Sequence, residues 1–397
     1  MRASVLILVA ATSALCQEAA SVGAAAANAH AFGLFHLFRQ ATADNFCFSP
    51  FSSHQVAAML ADGAAGTTQA EMLKLAFLPA DNTQREAYLQ AMRAELQSAS
   101  NQGGLQLGVA NSLWAPETLP FTPAFKQLAE KNYGATCGVI PADNPAQAAV
   151  AINDWVRQRT NGKITNLVGP SNFPAARPAA VLVNAVYLKS SWAEFFDPEQ
   201  TKPRPFAMSD GSSTMLSTMT KLEASSYAEG SGWQCLRLPF KSAEIGFHIL
   251  LPNDNSQRKK IEAEFSDDTW EAVQKAMTLH EVTSFIPRFN YSTQLSLKNM
   301  WQALGAKDVF IDGKANLSKM IEKEACYITD VIHQATIEVN ELGAEAAAAT
   351  AAVAAPFASA MPPPLKRVTF RADKPFLWLI THRSTGLILF MGRFAGR

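Results

Sequence analysis

Cysteine is scarce in this chain. Five residues, Cys16, Cys47, Cys137, Cys235 and Cys326, are scattered over 397 positions without a CxxC pair, which excludes a disulfide-built scaffold and the common zinc sites. A single disulfide stays open, while Cys47, Cys235 and Cys326 lie in apolar, strand-like runs and read as small buried residues. Histidine is sparse too. The seven residues at 30, 36, 54, 248, 280, 333 and 382 have no ligand spacing, so neither a metal nor a cofactor is expected. An excess of one charge is missing, 34 basic residues balancing 34 acidic ones. Nothing therefore steers the chain as a whole toward nucleic acid or an anionic membrane, and neither is expected as a partner. No phosphate-cradling glycine loop, HExxH helix or GxSxG elbow occurs, so enzyme chemistry has no motif to stand on. Long apolar runs are absent as well. The nearest, Val5 to Ala11, follows Arg2 and precedes Ala14-Leu15-Cys16; it is too short to span a bilayer and has the build of a secretory leader. Residues 1–16 are predicted to be that signal peptide, and Leu15 argues against lipid attachment at Cys16.

What is present is core-forming material. Hydrophobic residues make up 48% of the chain and charged ones 17%, enough for a large globular core. No repeat or linker divides it, which predicts one domain over 29–397 despite the length. Apolar spacing predicts helices over 24–40, 49–60, 83–98, 123–132, 145–160 and 297–304. The second opens on Ser49-Pro50, serine supplying a cap oxygen and proline suiting the first turn. Alternating, β-branched runs predict strands over 45–48, 105–114, 233–240, 244–252, 282–288, 327–339, 367–371 and 375–380. On the helix over 83–98, Glu86 and Glu95 interrupt Arg85 and Arg93, so that side is expected to be a solvated face.

One stretch is out of keeping with its neighbours. Between the strands over 327–339 and 367–371 lie Glu341-Leu342-Gly343 and then twelve residues from Ala344 to Ala355, nine of them alanine. Composition alone favours a helix stopped by Pro356. A flexible linker would be richer in glycine and serine. A third reading is a loop that can become a strand. Counting by twos from Ala344 gives Ala346, Ala348, Thr350, Ala352 and Ala354, none of them bulky. A strand entering a sheet must send such alternate side chains into the core beneath, so that face has to be small.

With this stretch the chain resembles the serpins, whose reactive-centre loop inserts into the main sheet after cleavage. Ser49-Pro50-Phe51-Ser52, then Met59-Leu60 and Gly63-Ala64, Gly66, Thr68 and Glu71-Met72, resemble the family's N-terminal signature. Val181 to Trp192, followed by Phe196-Asp197-Pro198, resembles its central strand and gate, with Ser190 where the family usually has glycine. His382 to Phe394 resembles its last strands, so the likeness runs from Ala29 to the end.

The resemblance implies an α+β serpin fold: a large, mostly antiparallel main sheet, two further sheets, about eight to nine helices and an exposed reactive-centre loop within about 341–366. The hinge would comprise Glu341, Gly343, Ala344, Glu345, Ala346, Ala347, Ala348, Ala349 and Thr350. Ser52, Asn184 and His333 would meet under the main sheet and control its parting, with Trp192 where the loop first enters. Read from the residues alone, His333 and Trp192 are core packing. Family spacing puts the acyl side of the bait bond sixteen positions after Glu341, at Phe357, with Ala358 as the leaving side. Ala354-Ala355-Pro356 would present that aromatic on a stiff, extended approach. Counting back from 367–371 lands near Met361, but Met361 precedes Pro362, a poor scissile bond, and Phe357 is kept.

The implied function is a secreted suicide-substrate inhibitor, not an enzyme, expected to be monomeric and to form a covalent complex with a chymotrypsin-like serine protease. A glycosaminoglycan partner is not expected on the interrupted stripe. The rival is a non-inhibitory serpin acting as carrier, chaperone or storage protein. Such members typically place bulky, charged or proline residues in the hinge, and this chain departs only mildly, at Leu342 and Ala344. Asn290-Tyr291-Ser292 and Asn316-Leu317-Ser318 are glycosylation sequons, admissible in a secreted protein.

Overall fold

Alternating apolar residues put much of the chain into two sheets ringed by helices, in a computed structural model that describes residues 2–101, 105–173, 179–322, 326–344 and 364–396. The order begins α1 (Arg2–Ala41), β1 (Phe46–Phe48), α2 (Pro50–Gly63), α3 (Gly66–Leu75), α4 (Asn82–Asn101), β2 (Leu105–Pro116), α5 (Pro123–Tyr133), β3 (Thr136–Ile140), α6 (Pro145–Arg159) and β4 (Ala180–Ser191). It continues with β5 (Lys202–Ala207), β6 (Ser213–Gly230), β7 (Trp233–Pro239), β8 (Ile245–Pro252), α7 (Asn255–Glu264) and α8 (Asp267–Ala276). Last come β9 (Thr278–Pro287), β10 (Phe289–Ser296), α9 (Lys298–Ala303), β11 (Ile328–Asn340), β12 (Gly343–Ala344), β13 (Arg367–Arg371), β14 (Phe376–His382) and β15 (Ile388–Phe394). The expected α+β architecture is present, with nine α-helices among the described residues.

The main sheet has six strands in the order β10-β11-β12-β4-β2-β3. The other nine strands form a second sheet, β1-β15-β14-β8-β7-β6-β9-β13, with β5 attached to β6. Two further sheets were expected, and the difference lies in β6. This strand is 18 residues long, and it pairs with β5 and β9 along one part and with β7 along the other, which fuses the two sheets into one.

The helix over 24–40 extends in both directions, as α1 runs without a break from Arg2 to Ala41. Phe38 stacks on Phe46 and Phe48, tying α1 to β1. In α2, Ser49 accepts the amide of Ser52 as predicted, and the helix runs on to Gly63 with every residue buried. A helix buried on all sides is one enclosed by the core. The solvated face expected around Arg85 is corrected. Arg85 is buried, 2.5 Å from Asp62, whose second oxygen accepts the Tyr133 hydroxyl at 2.6 Å. A buried guanidinium persists only where it is paired, and its partner on α2 could not be read from spacing on α4. All five cysteines are free, and Cys47, Cys235 and Cys326 are buried. Among the described residues no helix is long and apolar enough to cross a membrane.

Candidate functional site

The site lies where β11 and β4 meet. Along most of their length they pair directly and in parallel, from Ile328 beside Ala180 to Thr336 beside Tyr187. Beyond Tyr187 they part, and β12 fills the gap. Gly343 pairs with Asn340 and Ser191, and Ala344 with Val339 and Ser190, antiparallel on both sides. The root of the alanine-rich stretch is thus already a strand between two others, with Ala344 wholly buried.

Sequence explains why the chain can enter here. At Gly343 φ is +151°, and a Cβ would sit 2.1 Å from the Ser190 carbonyl oxygen, so the approach needs glycine. Glu341 anchors the turn before it, its carboxylate accepting the Thr201 hydroxyl at 2.7 Å and lying 3.6 Å from Arg288 Nε. Its backbone carbonyl accepts the Phe196 amide at 2.9 Å, and that of Leu342 accepts the Trp192 amide at 3.0 Å. Trp192 also donates its indole N–H to the Asn340 carbonyl at 2.8 Å and stacks on Phe240, 4.8 Å between ring centres. Ser190 stands where the family usually has glycine. It faces the seated hinge from within β4, buried, its hydroxyl without a partner.

Further along, a polar clasp holds β4 and β11 together. Their register sets His333 beside Asn184, and β2 sets Asn111 on the other side of Asn184. The Ser49 amide donates to His333 Nε2 at 3.2 Å, so the proton must be on Nδ1, which donates to Asn184 Oδ1 at 2.5 Å. Asn184 Nδ2 in turn donates to Ser52 Oγ at 2.5 Å and to Asn111 Oδ1. From sequence Ser49 was read only as a helix cap, and Asn111 was not singled out. Asn111 carried a signal, a polar side chain inside an otherwise apolar strand segment, but its meaning depends on the register of three strands. Opening the sheet below Thr336 would break the His333–Asn184 bond in an apolar setting, where a lost bond counts most.

Burial also fixes the charge state of the clasp. It pushes His333 down to about 3, His54 and His248 to about 3, and His30 to about 4, against an ordinary 6.5. A histidine whose folded pKa is depressed lends its stability above the unfolded pKa and loses it as pH falls toward the folded one. At pH 4.5 keeping a ring such as His333 neutral costs about 2–3 kcal/mol, and the four together remove a large share of a domain's stability. The urea midpoint should stay level from pH 8 to 7, fall below pH 6.5 and collapse near pH 4.5. A midpoint unchanged down to pH 5 would contradict these buried neutral rings.

The structure therefore brings Ser52, Asn184 and His333 into one network, and Glu341, Gly343, Ala344 and Trp192 into another. Glu345, Ala346, Ala347, Ala348, Ala349, Thr350, Ala354, Ala355, Pro356, Phe357 and Ala358 lie outside the described residues. Asn290 and Asn316 are both exposed, on β10 and before α3's neighbouring turn at Leu317.

The sheet is parted at one end around the root of the alanine-rich stretch and held together elsewhere by direct β11–β4 pairing and a buried polar network. Comparison with known proteins agrees. Residues 25–396 match the family described as "Serpin (serine protease inhibitor)". Serpin B8 of Bos taurus is 34% identical over 357 residues, covering 88% of this chain and 92% of its own. The leukocyte elastase inhibitor of Homo sapiens is 34% identical over 364 residues, covering 89% and 93%. Native protease nexin-1, solved with heparin, superposes with a TM-score of 0.82 at 26% identity, covering 96% of this chain and 99% of that one. Uncleaved ovalbumin gives the same TM-score and identity, covering 94% and 100%. The chain belongs to the serpin family. At the level of that family it is a protease inhibitor rather than a catalyst.

Proposed function

We propose that this serpin traps chymotrypsin-like serine proteases by offering Phe357–Ala358 as bait. The protease serine attacks the Phe357 carbonyl, Ala358 leaves with its new amine, and an acyl-enzyme forms. The freed segment then continues the strand already begun at Gly343–Ala344 between β11 and β4, and carries the acylated protease away before water can release it. This chain contributes no catalytic group; speed of insertion decides between trap and substrate. The observation that carries the reading is the two residues of strand at Gly343–Ala344, paired on both sides, with only small residues at alternate positions after them in the sequence.

The same reading places the inhibitor outside the cell, on the leader pattern from Arg2 to Cys16, as one domain over 29–397 acting as a monomer, with Asn290 and Asn316 open to glycans. Incubation with chymotrypsin should give a covalent complex that survives a denaturing gel and release a peptide beginning at Ala358. A peptide beginning at Pro362 would move the bait bond, and rapid cleavage with no complex would favour a non-inhibitory member.

A further inference from the structure

At the end of the nine-stranded sheet where β5, β6, β9 and β13 run side by side, a cavity of about 220 Å³ opens among Arg204, Phe206, Thr218, Phe285, Arg371 and Asp373. Its frame is backbone. Phe285 pairs with Thr220 on β6 and Arg371 on β13. The Ala372 amide donates to Phe285 O at 2.9 Å, and the Ala207 amide to Asp373 O at 2.8 Å. None of these residues belongs to the hinge or the clasp.

The charges around the cavity are unbalanced. The guanidinium carbons of Arg204 and Arg371 lie 4.7 and 4.0 Å from the centre of the Phe285 ring, two cations on one aromatic. Among the described residues neither forms an ion pair with a carboxylate, and the lining carboxylate, Asp373, is ion-paired with Lys374 at 2.7 Å through an Oδ1 that is closed off from solvent and accepts no hydrogen bond. Arg204 Nε is closed off from solvent and has no hydrogen-bond partner. Arginines that are buried elsewhere in this protein are paired, Arg85 with Asp62 and Arg393 with Glu262. A buried N–H left without an acceptor costs about 1–3 kcal/mol, and such a group in a folded protein calls for a water or an ion.

We propose that this cavity binds a small oxyanion of the phosphate or sulfate type between the Arg204 and Arg371 guanidiniums. Guanidinium forks present several N–H donors to such oxygens, and charge-assisted bonds of this kind are the strong ones. The Lys374 ammonium offsets Asp373, and the Phe206 and Phe285 rings thin the water that would otherwise screen the contact. The ligand would also tie strands together. β13, into which the downstream side of the loop leads, pairs with β9 alone; an anion shared by Arg371 and Arg204 would join it to β5.

The test is isothermal titration of the full chain with sodium phosphate, sodium sulfate and glycerol phosphate, against chloride at equal ionic strength. One saturable oxyanion per chain is expected, with affinity falling at least about tenfold in Arg204→Gln and in Arg371→Gln. Tighter binding of glycerol phosphate would mark a phosphate carried on a larger molecule, and tighter binding of phosphate a free ion; both support the site. Arg371 is exposed, so its variant decides if Arg204→Gln fails to fold. Absence of saturable binding, or equal binding by the wild type and Arg371→Gln, overturns the proposal.

Discussion

Ala346→Arg should leave the Phe357–Ala358 bond as easy to cut as before and abolish the covalent trap. Ala344 is buried and paired on both sides, and side chains alternate along a strand, so on insertion the residue at 346 would be the next to point into the core. For the native sequence, each new strand residue gains about 1 kcal/mol net from its hydrogen bond and costs about 1–2 kcal/mol in backbone freedom. Those contributions nearly cancel, so on the proposed mechanism the drive to insert would have to come from relaxation of the sheet as β11 and β4 part to seat the new strand. An unpaired arginine forced into that space costs about 3–5 kcal/mol, which slows insertion by roughly 10²- to 10⁴-fold if the cost falls on the barrier. Hydrolysis then wins. Chymotrypsin incubated with the variant should remain active while the loop is consumed, and a persistent complex on a denaturing gel would count against insertion as the trap.

Phe357→Arg should change the enzyme that is caught. A chymotrypsin-like protease reads the acyl-side residue in an apolar slot, where a trypsin-like one offers a carboxylate. Placing an unpaired guanidinium in the apolar slot costs several kcal/mol, so association with chymotrypsin should slow by at least about 100-fold, at 1.4 kcal/mol per factor of ten. Trypsin should gain by a comparable factor, because hinge and clasp are untouched. Rate constants with both enzymes settle the point, and an unchanged profile would place the bait bond elsewhere.

Much of this protein was legible because its signals are local. Ser49 caps α2 from one residue away, and the β-branched run over 327–339 emerges as β11 almost to the residue. The clasp was legible only through resemblance. Asn184 and His333 are far apart in sequence and meet because parallel register places them side by side, a non-local fact that no spacing encodes. The depth of the seated hinge has the same origin, since it depends on Gly343 finding Ser191 across the sheet. Arg85 misled for a related reason: its neighbours on α4 suggested a solvated face, while its partner Asp62 lies on another helix. β6 was missed because its serines and threonines come in adjacent pairs, Ser213-Thr214, Ser217-Thr218 and Ser225-Ser226, which breaks the period-two pattern.

The account depends on a fold held short of its lowest free energy, with the strand begun at Gly343–Ala344 ready to lengthen once its tether is cut. The direct measurement is the thermal midpoint before and after a nick within 345–363 by a protease that is not itself trapped. Insertion should raise the midpoint by more than about 10 °C, which at roughly 1.2 °C per kcal/mol for a chain this long is on the order of 8 kcal/mol. A nicked chain that melts where the intact one does would contradict it.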